Sequence, residues 1–243
     1  MNKVKSIMCK YWTAWLLTVC CVLLFIIPGT PVQAALTKSV AAVDEWAEVA
    51  QNTIREGATV DVSGCYTATL HIYCCLSSAT AHTGTEIIVQ LSSNTSGDED
   101  WTPLTKFIGP IGTAHKIDLG GDEAAAQTVL TVTDPVTNNL DHNGKFIFIE
   151  HTGTVANSEI VYQTTNSGDA GDTITILDGL TNAQTAAASD FYDIDHATNS
   201  AVGMYPIPLP MSANRVRVIY NNTYDADGAT VHTNCRITKT TAL

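Results

Sequence analysis

The sequence predicts an all-β chain: a β-sandwich of jelly-roll-like type with a small β-module inserted into it, preceded by an N-terminal signal helix. Three observations predict it. Residues 66–76 alternate strictly, with Tyr66, Ala68, Leu70, Ile72, Cys74 and Leu76 on one side and Thr67, Thr69, His71, Tyr73 and Cys75 on the other. That is the period of a long strand with one buried face. Residues 214–220 and 229–239 alternate in the same way near the C-terminus, and the middle of the chain holds short β-branched runs separated by Asn, Gly and Asp loops. A one-faced strand is stable only in a sheet whose apolar side is covered, so the chain must supply partners and a second layer. With 243 residues, 45% of them hydrophobic, it has material for one large all-β domain or two small ones.

Residues 1–34 read as an export signal. Lys3, Lys5 and Lys10 form a basic start, residues 11–27 an apolar core, Pro28 and Pro31 break it, and Val32, Gln33 and Ala34 offer a cleavage site after Ala34. The apolar run approaches bilayer-spanning length, so an uncleaved anchor is the alternative, and this segment is the one membrane contact expected. Cys20 and Cys21 lack the context of a lipoprotein signal. The expected address is secreted, extracellular or at the cell surface. The signal carries three lysines and no acid, so its removal leaves a chain more acidic than the formal charge of −12 for the whole. Such a surface is repelled by phosphate backbones, which argues against a nucleic-acid partner. It suits divalent cations, and serves equally as a solubility device.

Cys65, Cys74, Cys75 and Cys235 remain after processing, in a compartment that permits disulfides. Cys74 and Cys235 are the candidate pair if the strands that carry them are neighbours. Cys65 and Cys75 lie too far apart along a straight strand to bridge. A zinc site from His71, Cys74 and Cys75 is disfavoured, because adjacent strand residues point to opposite faces.

Taken in order, residues 44–57 admit a short helix, with Asp44 as N-cap and Gly57 as stop, or a bent edge strand. After the 66–76 strand and a turn at 77–84, residues 85–91 place Ile87, Val89 and Leu91 on one face. The acidic loop 92–100 leads to an extended piece through Trp101, Leu104 and Phe107 that ends at Gly109 and Pro110. The sandwich is therefore expected over 35–112 and 206–243, with the insert over 113–205. Within the insert, 128–132, 145–149, 159–162 and 173–177 are the expected strands, and 178–184 leaves the sheet as a turn. Pro206, Pro208 and Pro210 make a stiff connector, tolerable only at a sheet edge or outside the ladder. Residues 221–228, ending in Asp227 and Gly228, are expected to close a hairpin between the last two strands.

The runs at 130–134, 144–149, 158–162 and 174–181 resemble the small β-modules of bacteriophage tail, baseplate and decoration proteins. The ends, at 60–64 and 215–220, are similar to the sandwiches of those proteins. The resemblance implies a structural or attachment role. An export signal departs from the virion pattern and points to a cell-surface or extracellular assembly built from the same modules.

No nucleophile elbow, His-Glu-x-x-His, phosphate-binding glycine loop or Cys-x-x-Cys motif is present, so a non-enzyme without a catalytic site is expected. The seven histidines read as surface or loop residues. Among the acids, Asp225 and Asp227 with Asn221 offer the oxygen chemistry that calcium takes from a loop, against the simpler reading of a plain turn. No cofactor is expected unless these residues take up calcium. The expected function is a secreted, non-catalytic subunit that assembles with copies of itself into a filament, sheath or layer. The alternative is a lectin-like module that attaches to surface glycans. Its aromatic candidates are Trp101 and Tyr224, with Tyr66 and Tyr73 beside them.

Overall fold

The computed structural model describes residues 36–76, 82–97, 100–111, 115–133, 145–166, 173–187, 189–193, 195–196, 199–200, 202–223 and 230–242. The signal segment lies outside them. Among the described residues every regular element is a strand except one 3₁₀ turn, Val155–Asn157. The first six strands are β1 (Leu36–Val49), β2 (Ile54–Glu56), β3 (Val60–Asp61), β4 (Cys65–Leu76), β5 (Glu86–Ser92) and β6 (Thr102–Ile108). The middle of the chain forms β7 (His115–Leu119), β8 (Val129–Thr133), β9 (Lys145–His151), β10 (Glu159–Asn166), β11 (Thr173–Ile176) and β12 (Ser189–Asp193). A two-residue pair, β13 (Asp195–His196) and β14 (Asn199–Ser200), precedes β15 (Val202–Leu209), β16 (Arg215–Asn221) and β17 (Val231–Ala242).

Two sheets make the sandwich. One runs β1-β17-β4-β15 and the other β2-β16-β5-β6, with β3 added on β16. The chain crosses from one sheet to the other between β1 and β2, β3 and β4, β4 and β5, β15 and β16, and β16 and β17, and by way of the middle strands between β6 and β15. Eight strands wound in these two orders are a jelly roll. The alternation of β4 explains why it sits centrally. Ala68, Leu70, Ile72 and Cys74 are buried and face Ile87, Val89, Val216, Val218 and Tyr220 of the opposite sheet. Each large aliphatic side chain in that layer contributes roughly 1.5–3 kcal/mol by leaving water. Tyr66 departs from the expected pattern, being 46% exposed beyond the end of the core. Cys75 departs in the other direction. It is buried on the outer face, in register with His232.

Residues 44–57 are strand, turn and strand, so the helical reading is overturned. Its sequence holds a polar anchor that pattern alone hides. Asp44 is buried, accepts from the Ala58 backbone N–H at 3.0 Å and lies 3.6 Å from Arg55, whose guanidinium sits 5.4 Å from the Tyr220 ring. The expected C-terminal hairpin is also corrected. Strand β16 has its two edges taken by β2 with β3 and by β5, while β17 is held between β1 and β4, so the link between them spans the two sheets. A local turn signal cannot outweigh two fully occupied strand edges.

The six middle strands close into a barrel in the order β10-β11-β8-β7-β12-β9. Four of them match the apolar runs at 128–132, 145–149, 159–162 and 173–177. Strands β7 and β12 went unread, and they are the two that close the ring: they pair with each other, and β12 also pairs with β9. Leu119, Leu130, Val132, Ile147, Ile149, Val161, Ile174 and Ile176 fill the interior. Phe148, between two inward-facing isoleucines, points out of the barrel yet is fully buried, because it packs on Trp46 at 5.0 Å and His232 at 5.5 Å from the sandwich.

The proline connector is strand β15, the outermost strand of its sheet, bonded only to β4. Pro206 and Pro208 stand opposite His71 and Thr69 at alternate positions, so both ring nitrogens turn to the same side of the strand. That side has to be the free edge, since neither residue can donate to a ladder.

Candidate functional site

Two features stand out from this architecture: a long sheet edge without proline, and a polar cleft with an aromatic corner. Exposed edges invite pairing with other chains, and proteins blunt them with prolines, charges, bulges or brevity. Three of the four sandwich edges are blunted. Strand β15 carries Pro206 and Pro208, and β2 is three residues long. Strand β6 holds Pro103 and an exposed Lys106 paired with Glu86, and a register shift interrupts its ladder to β5. Among the described residues, strand β1 has no proline and is not short, and its exposed charges are Lys38 near its start and Glu45 and Glu48 near its end. It is 14 residues long and exposes every residue from 36 to 42, including Val40 at 62%.

The cleft, about 430 Å³, opens between the outer face of the β1-β17-β4 sheet and the rim of the barrel. On the sandwich side, Trp46 and Tyr73 meet with ring centroids 6.3 Å apart and planes inclined at 50°, making a corner. Phe148 stands 5.0 Å from Trp46 and fixes that ring. Asn234 lies in register with Tyr73, and Arg236 is two residues further along the same face of β17, with Glu45 at the mouth. Asn234 is only 2% exposed, and its Nδ2 has no hydrogen-bond partner.

The barrel side is held by a carboxylate. Glu159 accepts from the backbone N–H groups of Thr181 at 2.8 Å and Asn182 at 3.3 Å, and from Gln184 Nε2 at 2.8 Å. Gln184 in turn donates to the Asn157 carbonyl and accepts from Ser189 Oγ. This buried chain ties the 3₁₀ turn to the 181–184 loop and gives the cleft a fixed wall.

The residues expected from sequence are dispersed. Cys65, Cys74, Cys75 and Cys235 are all free thiols, so the proposed Cys74–Cys235 bond is corrected. Their strands are neighbours as required, but Cys74 stands opposite Thr233 and Cys235 opposite Ile72, which sets the two cysteines on a diagonal. Burial pushes the Cys235 thiol up to about 12 and also raises the Cys74 and Cys75 thiols above the ordinary thiol range. Trp101 is half-buried on the outside of the other sheet, where the guanidinium carbons of Arg215 and Arg217 lie 5.0 and 4.3 Å from its ring centroid. Its ring serves these cations. Asn221 donates to Glu86 and accepts from the Thr223 N–H and hydroxyl, while Tyr224, Asp225 and Asp227 lie outside the described residues. Two histidines read as surface or loop residues are in fact buried: His82, bonded to Thr85 at 3.1 Å, and His232. Among the described residues no group of three or more His, Cys, Asp or Glu is placed to hold a metal ion.

Of the cleft residues, sequence reasoning had named Tyr73 alone. Trp46 was hidden in the ambiguous 44–57 segment. Asn234 and Arg236 carried a usable signal, since they sit on the polar side of an alternating strand, as Tyr73 does.

The chain matches no protein-family model and no curated protein. Among solved structures, VP17, a capsid protein of bacteriophage P23-77, aligns over 84% of this chain and 97% of its own at 8% identity, with a TM-score of 0.19. The VP2 subviral particle of infectious bursal disease virus aligns over 88% of this chain and 45% of its own, at 8% identity and a TM-score of 0.21. Both are viral proteins, but at such TM-scores the alignments carry no argument about fold or function. The jelly roll rests on the strand order alone.

Proposed function

We propose that the chain is an exported, non-catalytic structural protein whose copies associate through the free edge of β1 to build a filament, sheath or layer outside the cell. The observation that carries this reading is the contrast among the sheet edges. Three are blunted, and the fourth is long, extended and free of proline. Backbone N–H and C=O groups along such an edge gain partners when a second strand is added, and the exposed Val40 and its neighbours gain cover. The fold itself is neutral on the point, since jelly rolls serve in capsids and in lectins alike. Calcium held by Asn221, Asp225 and Asp227 belongs to the same reading, as an ion taken up by the link between β16 and β17.

The test is light scattering coupled to size-exclusion chromatography, run on residues 35–243 over a concentration series, in calcium and in EDTA. Concentration-dependent oligomers are expected. Along β1, Val40→Pro and Ala41→Pro remove adjacent N–H groups, one facing β17 and one facing outward. One of the two variants should stay folded and become monomeric. A wild-type chain that is a monodisperse monomer at every concentration in both buffers would sink the proposal.

A further inference from the structure

We propose that the cleft between the sandwich face and the barrel rim binds a neutral saccharide. The proposal is independent of self-assembly, since the cleft lies on a sheet face and the β1 edge lies in the sheet plane.

The chemistry of the walls selects the ligand class. A sugar presents flat C–H faces and, around its rim, hydroxyls that both donate and accept. The corner made by Trp46 and Tyr73 supplies two aromatic faces at an angle, one of them already backed by Phe148. Beside it, Asn234 and Asn182 offer amides, Arg236 a guanidinium and Glu159 a carboxylate. Donors and acceptors therefore both stand beside an apolar corner. The volume, about 430 Å³, falls in the range of ~300–1,000 Å³ usual for small-molecule sites.

Asn234 gives the independent sign of a ligand. A buried amide N–H with no acceptor is rare in folded proteins and calls for a partner. Asn234 Nδ2 is such a group, its residue lines the cleft, and a sugar hydroxyl has the lone pairs this amide lacks. Charge narrows the class further. Glu45 and Glu159 outnumber Arg236 among the lining residues, which disfavours sialylated or sulfated sugars and leaves neutral hexoses. The wall is preorganised, because Glu159 is held by three donors and does not have to be fixed at the moment of binding.

The test is saturation-transfer NMR and isothermal titration of residues 35–243. The probes are glucose, galactose, mannose and N-acetylglucosamine, and the β1,4-linked disaccharides cellobiose, lactose and chitobiose. At least one probe should bind with a Kd on the order of 1 mM or tighter and quench tryptophan fluorescence. Trp46→Ala should abolish binding. Because that change also removes a contact to Phe148, Tyr73→Ala and the exposed Arg236→Ala serve as the second pair, each expected to weaken binding about tenfold or more with an unchanged melting curve. No saturable signal from any probe would overturn the proposal, as would binding that survives both Tyr73→Ala and Arg236→Ala intact.

Discussion

His232 makes the joint between sandwich and barrel sensitive to acid. Its ring is 1% exposed, packed at 5.5 Å and a tilt of 42° against Phe148 of β9, and His232 is in register with the buried Cys75 of β4. Burial disfavours the charged imidazole and lowers its pKa from the ordinary 6.5 to about 4. The unfolded chain takes up the proton near 6.5 and the folded chain does not until about 4. Stability is therefore complete above 6.5, falls as the pH drops through that window, and levels off below it. At ~1.4 kcal/mol per pH unit, the gap is worth about 3 kcal/mol. Glu150 works against this. Its Oε1 lies 3.3 Å from His232 Nε2 and would welcome an imidazolium, so about 3 kcal/mol is the upper bound. The assay is urea unfolding at pH 7.5, 6, 5 and 4 for the wild type and His232→Gln, whose difference cancels the carboxylates common to both. The wild type should lose up to about 3 kcal/mol more than the variant across the window. Equal losses would refute the reasoning, and a wild type that gains stability relative to the variant would show that the Glu150 attraction outweighs desolvation.

Gly57→Ala should cost about 1–3 kcal/mol in chemical unfolding, because the new methyl would collide with Asp44 Oδ2, stand 3.1 Å from the Val218 carbonyl and force the carboxylate off its partners. In native residues 35–243, a thiol reagent at pH 8 should modify Cys65 first. Cys74, Cys75 and Cys235 should react only after unfolding, and two missing thiols in the unreduced, unfolded chain would reveal a disulfide after all. Replacing both Pro206 and Pro208 by Ala restores two N–H groups on the outer side of β15. Light scattering should then rise at fixed concentration, and unchanged scattering would mean that the prolines do not guard this edge.

The strands of the sandwich were legible wherever one face met the core and the other met water. Leu70 and Ile72 against Thr69 and His71, and Val216 and Val218 against Arg217, carry the period directly. The barrel was half legible. Its strands with continuous β-branched runs announced themselves. The other two, His115–Leu119 and Ser189–Asp193, carry charged residues in runs too short for a period to show, and are strands because a ring needs them to close. The prolines of β15 could be limited from sequence to a sheet edge or to a place outside the ladder, since a missing N–H is a local fact.

By itself, then, the sequence determined the all-β fold class and kept the proline segment out of any central strand, both of which follow from side-chain period and backbone chemistry a few residues apart. Tertiary structure alone decided that β16 and β17 lie in opposite sheets, that Cys74 and Cys235 sit on a diagonal, and that Trp46, Tyr73, Asn234 and Glu159 surround one cleft. Those outcomes depend on which strand edges are already occupied and on how one folded body covers another. No local pattern encodes that competition.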